Sequence, residues 1–172
     1  MLRCKSCSVD TSGFVSKFYG AFNSIMHVLG YKRNEMVAVQ LVGSYCLPSL
    51  LYGCEVWQTR ADDVRSASVA WNNCFRNIFN ACWIESVRPL LFFCSCLPLT
   101  YIIHQRRLLY WKKYLFSDNV LLQILTRCCY DNIGKLCDIY KFTVKNLVDS
   151  PKHLVKELFW SCLLYTSDAA DE

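Results

Sequence analysis

Proline and glycine are scarce in this chain, at 4 and 6 residues of 172. That scarcity excludes a collagen-like or low-complexity architecture and favours long helices joined by short turns. No glycine-rich loop is present to cradle a phosphate. No Gly-x-Ser-x-Gly elbow is present to carry a nucleophile, because Gly43-Ser44 continues as Tyr45-Cys46. Histidine is limited to His27, His104 and His153, none with a carboxylate or a Ser/Cys partner at a recognisable spacing. Strand-like alternation holds nowhere for long, and there is no internal repeat. Charge is sparse as well: 19% of residues, against 53% apolar and 15% aromatic. A disordered tail is excluded on that ground, and the chain has ample material for a core.

Cysteine is what the sequence has in excess, with 12 residues at irregular spacing. No apolar run follows Met1, where Arg3, Lys5 and Ser6 stand. Cys46, Cys54, Cys74 and Cys94 lie inside apolar stretches, where Cys behaves as a small buried hydrophobe. Reduced thiols in an intracellular protein are therefore expected. Cys4-Lys-Ser-Cys7 is a lone Cys-x-x-Cys. A structural zinc site needs two further ligands at similar spacing and a redox motif needs a βαβ setting, and neither is found. No metal site is expected.

From Met36 to Cys54 the chain is free of charge, a length that would span a bilayer. Gln40, Gly43, Ser44, Pro48 and Ser49 interrupt it, and Arg33, Glu35 and Glu55 flank it. A buried core helix with a break at Pro48 is the expected reading. A small multi-helix membrane protein with its span at 36–54 is the alternative.

The apolar pattern is helical throughout, so the fold class is all-α, a multi-helix bundle. Phe14, Phe18, Phe22, Ile25, Met26 and Leu29 form one stripe, capped at Thr11 or Ser12 and ended by Gly30. Asn34 caps a second helix that is expected to run to Leu47. A third starts at Asp62 or Asp63 and carries Val64, Ala67, Trp71, Cys74, Phe75 and Ile78 on one side. Ser86 caps a short helix ending near Cys96. Thr100 opens a long amphipathic helix through Phe116, and Asp118 or Asn119 caps the next, up to Tyr130. Beyond it the pattern weakens, with short segments at 133–140, 143–148 and 153–160.

Ala61-Asp62-Asp63 invites comparison with the paired aspartates that hold Mg²⁺ in polymerases. Here Arg60 precedes the triplet and a helical stripe follows it. A helix N-terminus accounts for the two acids through capping and the dipole. The helix from Thr100 is more informative. Arg106, Arg107, Lys112 and Lys113 lie on it with His104 and no acid, while Leu108, Leu109, Trp111 and Leu115 supply a burying side. Arg106 and Lys113 are two turns apart and share a face, a spacing suited to successive phosphates. A solvated face would look the same, and Tyr101, Tyr110, Trp111 and Tyr114 suit packing as well as base stacking.

The last eleven residues, 162–172, read as the in-frame translation of a transposase-type sequencing adapter. They are expected to be non-native, with the natural reading frame continuing past Ser161 and Met1 internal to it. Three of the 14 acids (Asp168, Asp171, Glu172) fall in that tail, so the balance before it is 19 basic residues against 11 acidic. That excess favours a polyanionic partner.

Several strings, taken in order, resemble the region after the palm in non-LTR (LINE-type, Jockey-like) retrotransposon reverse transcriptases. They are Lys17-Phe18-Tyr19-x-Ala21-x-Asn23-Ser24-Ile25 and Cys46-Leu47-Pro48-x-Leu50-Leu51-Tyr52-Gly53-x-Glu55-x-Trp57. Trp71-Asn72-x-x-Phe75-Arg76-x-Ile78-Phe79, Glu85-Ser86-Val87, Leu97-Pro98 and Gln105-Arg106-Arg107 follow. The resemblance covers residues 14–116. It implies a helical thumb and the segment beyond it, a fragment of a larger polymerase that holds an RNA template with its DNA primer. On that basis residues 1–13 end an upstream segment, 14–130 form the thumb and connection, and 131–161 hold short helices. Arg106, Arg107, Lys112 and Lys113 are the expected phosphate contacts, and Lys17, Tyr19, Asn23 and Arg76 are motif-derived candidates. The family's catalytic aspartates sit in an aromatic-Ala-Asp-Asp hairpin of the palm, which this sequence does not contain. The fragment is accordingly expected to be inactive alone, with no cofactor of its own and Mg²⁺ confined to the palm. The palm and the template–primer duplex are the expected partners, in a cytoplasmic or nuclear ribonucleoprotein.

Overall fold

The computed structural model describes residues 12–30, 34–56 and 60–122, together with residues 124, 138, 153, 155–157 and 161. Among these residues every regular element is helical and no strand occurs, so the chain is all-α. Two units are distinguished, Met1–Leu99 and Thr100–Glu172. The boundary falls within the region 14–130.

Helix α1 spans Ser12–Leu29. Its apolar stripe turns Phe18 and Phe22 fully inward, while Phe14, Ile25, Met26 and Leu29 are half-buried. Gly30 closes it with φ 65°, its N–H donating to Met26 O at 3.2 Å. Glycine adopts that left-handed turn without the penalty a Cβ would bring.

Helix α2, Glu35–Leu41, begins as the sequence indicates. Asn34 Oδ1 accepts from the Met36 and Val37 N–H groups at 3.0 and 3.3 Å. The expected stop at Leu47 is corrected. The helix instead widens into a π-helical turn, Val42–Cys46, and resumes as α3, Leu47–Leu50. Leu47 N–H donates to Val42 O, five residues back. Pro48 has no N–H to offer Ser44, and its ring would collide with that carbonyl in a regular α-helix. Widening the preceding turn removes the conflict, so the chain passes through the proline and keeps Val42, Cys46 and Leu50 buried.

The run from Glu35 ends at Leu50, and Gly53 at φ 70° turns the chain through 51–56. The span at 36–54 thus has no single helix to carry it. No helix among the described residues is long and apolar enough to cross a membrane.

Helix α4, Ala61–Phe79, starts one residue before Asp62, and Arg60 at its N-cap makes no side-chain capping bond. Asp62 and Asp63 sit in the first turn, where the exposed N–H groups of the helix favour negative charge. Ala70, Trp71, Cys74, Phe75 and Ile78 are buried, and Val64 and Ala67 only partly so. Asn80 ends the helix in the left-handed region (φ 57°), and Ala81 N–H reaches back to Arg76 O at 2.9 Å.

Helix α5 is shorter than expected, Arg88–Phe93. Ser86 Oγ accepts from Arg88 N–H at 3.4 Å. Ser95 at φ 52° then terminates it, with Cys96 N–H on Leu91 O and Ser95 N–H on Phe92 O, both at 2.9 Å. These two bonds satisfy carbonyls that a helix end otherwise leaves unpaired.

In the first unit α1 packs against α2, the π turn, α3 and α4, and α2 also packs on α4. Phe18, Trp71 and Phe75 are the largest buried side chains there, and each stabilises the unit by about 1.5–3 kcal/mol relative to exposure. Trp71 is fastened as well as buried, since its Nε1–H donates to Leu97 O at 3.2 Å. Cys46, Cys54, Cys74 and Cys94 are all buried free thiols, as their apolar neighbours in sequence indicate. Burial pushes the Cys46, Cys74 and Cys94 thiols up, and Cys46 adds to the effect at Cys74.

The second unit is described chiefly through α6, Leu99–Leu115. Past it, Asn119 Oδ1 accepts from Leu121 N–H at 3.0 Å. Of the two residues considered for that cap, Asn119 forms it. The continuation to Tyr130, most of the segments expected at 133–140, 143–148 and 153–160, the Cys4–Cys7 pair and the tail 162–172 lie outside the described residues.

Candidate nucleic-acid interface

Helix α6 carries the strongest concentration of positive charge. An α-helix advances about 1.5 Å and about 100° per residue. Arg106 and Lys113 therefore fall within about 20° of one another and about 10 Å apart along the axis. That distance is close to the rise of about three phosphates on one strand of a duplex. Tyr110 lies between them on the same side, and Tyr114 lies beside it. The Tyr110 hydroxyl donates to the Tyr114 hydroxyl at 2.8 Å, with ring centroids 4.4 Å apart. The helix thus presents Arg106, Tyr110 and Lys113 as one basic and aromatic stripe. Arg107 and Lys112 fall off that stripe, about 100° from it on either side.

Exposure separates these residues further. Lys113 is exposed, whereas Arg106, Arg107 and Lys112 are half-buried and take part in interactions within the protein. Lys112 and Lys113 also occupy the last turn, where cations offset the partial negative charge of the helix end.

The expected burying side is corrected. Leu108 is buried, but Leu109 and Trp111 are only half-buried, and Ile103 is buried about 140° away from Leu108. Apolar contact is spread around α6, so its polar groups are partly enclosed on several sides. His104 shows the consequence. Burial first, and the Arg107 charge second, hold its pKa below the ordinary imidazole value. At neutral pH it is an uncharged donor and acceptor.

The four motif-derived residues lie in the first unit. Tyr19 and Arg76 meet through an intermediary that sequence reasoning missed. Asn73 Nδ2–H donates to the Tyr19 hydroxyl at 3.4 Å, and Asn73 Oδ1 accepts from Arg76 Nη1 at 3.2 Å. Arg76 Nη2 donates to the Glu85 carbonyl at 3.1 Å, while its Nε is buried without an acceptor. Much of the Arg76 guanidinium is thereby committed to bracing α4 against the turn that follows it. Only the spacing of Asn73 three residues before Arg76 on one helix could have signalled this link. Asn23 is exposed one turn after Tyr19, and Lys17 is exposed on the far side of α1.

Among the described residues no third ligand joins Asp62 and Asp63. Among the described residues there is no group of three or more His, Cys, Asp or Glu side chains placed to hold a metal ion. Between Asp63 and Asp118 the chain contains seven basic residues and a single acid, Glu85. The stretch therefore carries a net positive charge.

No family model, no curated protein and no solved structure matches the chain.

Proposed function

We propose that the chain is the thumb and connection region of a non-LTR retrotransposon reverse transcriptase, and that its residual role is to bind the backbone of a template–primer duplex. The observation that carries the reading is the run between Asp63 and Asp118, with seven basic residues, one acid and four of the cations on α6. The ordered strings that resemble the family support it. Arg106 and Lys113 are the leading phosphate contacts, with Arg107 and Lys112 flanking them. Tyr19, Asn23, Lys17 and Arg76 are secondary candidates, of which Arg76 acts chiefly as a brace. Catalysis and Mg²⁺ belong, in this reading, to the palm of the parent polypeptide, which is the protein partner. The complex resides inside the cell, in a cytoplasmic or nuclear ribonucleoprotein.

Backbone recognition makes the expected binding tolerant of sequence and steeply dependent on salt. The test is fluorescence anisotropy of the full chain with a labelled RNA–DNA duplex across a salt series. If all four α6 cations contact phosphates, log K falls against log salt with a slope of about −3 to −4. Arg106→Gln with Lys113→Gln flattens that slope by about two. A duplex that fails to bind at low salt, or a slope that the double variant leaves unaltered, refutes the reading.

A further inference from the structure

Helix α6 carries two tyrosines that the expected phosphate contacts do not use. Tyr110 and Tyr114 are one turn apart, with ring centroids 4.4 Å apart and the Tyr110 hydroxyl donating to the Tyr114 hydroxyl at 2.8 Å. With Arg106 taken as zero, the helical rotation sets Tyr110 at about 40°, Lys113 at about −20° and Tyr114 at about 80°. The two cations and the two phenols therefore share one side of a single helix. Tyr110 stands between Arg106 and Lys113 along the axis, and Tyr114 follows Lys113 directly. Lys113 is exposed, and Arg106, Tyr110 and Tyr114 are each partly exposed.

The hydroxyl pair has a chemistry that the cations lack. An ammonium or a guanidinium only donates hydrogen bonds, which suits a phosphate oxygen that only accepts. A phenol hydroxyl does both. The Tyr114 hydroxyl accepts from Tyr110 and keeps its own proton to give. The ring contact and the 2.8 Å bond together hold the two oxygens in a set position.

The complementary group on a nucleic acid is another hydroxyl. The ribose 2′-OH donates and accepts, and deoxyribose lacks it. Arg106 and Lys113, about 10 Å apart along the axis, bracket about three phosphates of one strand, so the sugars between those phosphates come opposite the tyrosines. We propose that the Tyr110–Tyr114 pair selects the RNA strand of a duplex by binding a 2′-OH, while Arg106 and Lys113 take phosphates on either side. The inference rests on the duplex-binding reading above and deepens it, from any polyanionic backbone to one that contains ribose.

The test titrates the full chain with three labelled duplexes of one sequence. They are an RNA–DNA hybrid, the same hybrid with 2′-fluoro sugars in its RNA strand, and an all-DNA duplex. The 2′-fluoro strand keeps the helical shape of RNA and lacks the hydroxyl. The parent chain binds the hydroxyl hybrid about threefold to tenfold tighter than the fluoro hybrid, the worth of one neutral hydrogen bond. Tyr110→Phe with Tyr114→Phe brings the two hybrids to equal affinity, and Tyr114→Phe alone removes most of the difference. Unchanged far-ultraviolet circular dichroism of each variant shows that the fold is retained. A parent chain that binds the two hybrids equally overturns this inference alone, whatever its affinity for DNA, because shape then accounts for recognition. A preference that the double variant keeps overturns it too. A chain that binds none of the three duplexes overturns the proposed function as well.

Discussion

Replacing Trp71 separates two contributions that the structure superimposes at one residue. Its side chain is 1% exposed, its Nε1–H donates to Leu97 O at 3.2 Å, and its ring meets Phe75 edge-on at 5.0 Å. The bond fastens the middle of α4 to the segment that follows α5. Trp71→Phe keeps an aromatic ring but leaves the Leu97 carbonyl without this donor, at a cost of about 2 kcal/mol. Trp71→Ala removes the ring as well and opens a cavity, raising the cost to about 4 kcal/mol. For a unit of this size the dependence on urea is about 2 kcal/mol per molar, so the unfolding midpoint falls by about 1 M and about 2 M respectively. Circular dichroism at the helical minimum reads both transitions without relying on tryptophan emission. A Trp71→Phe midpoint within about 0.2 M of the parent would refute the claim that the hydrogen bond holds α4 in place. Equal midpoints for the two variants would refute the assigned value of the ring.

Other consequences follow from the backbone and from α6. Gly30 at φ 65° has open space where a Cβ would stand, so Gly30→Ala costs only conformational strain, about 1 kcal/mol. Ser95 occupies the same left-handed region at φ 52°, and Ser95→Gly raises stability by about 0.5–1 kcal/mol; thermal midpoints that move the other way refute the assignment. Burial and Arg107 hold the His104 pKa down, so the unfolded chain takes up a proton that the folded chain resists. This contribution is complete above the unfolded value of about 6.5 and is lost as pH falls through the lowered folded value. Urea midpoints taken at neutral and mildly acid pH show a loss that His104→Gln reduces; an equal loss in the variant removes His104 as a cause.

What was legible in the sequence is what local chemistry decides. The Phe18–Phe22 stripe, the Asn34 cap and the Gly30 stop depend on neighbours within a few residues, and each stands where the pattern places it. Pro48 shows the limit. Its missing N–H argues for a helix end, but Val42, Cys46 and Leu50 are all buried by the continued helix, and their burial outweighs one widened turn. A one-dimensional pattern records the obstruction and not what offsets it. The candidate site divides in the same way. Arg106 and Lys113 share a face by arithmetic alone, whereas the partial enclosure of Arg106, Arg107 and Lys112 depends on packing around α6 that its sequence does not display. Arg76 was singled out as a motif residue, and its hydrogen bonds to Asn73 and the Glu85 carbonyl make it the support of the turn that follows α4. A motif position and a bracing position are thus compatible at one arginine.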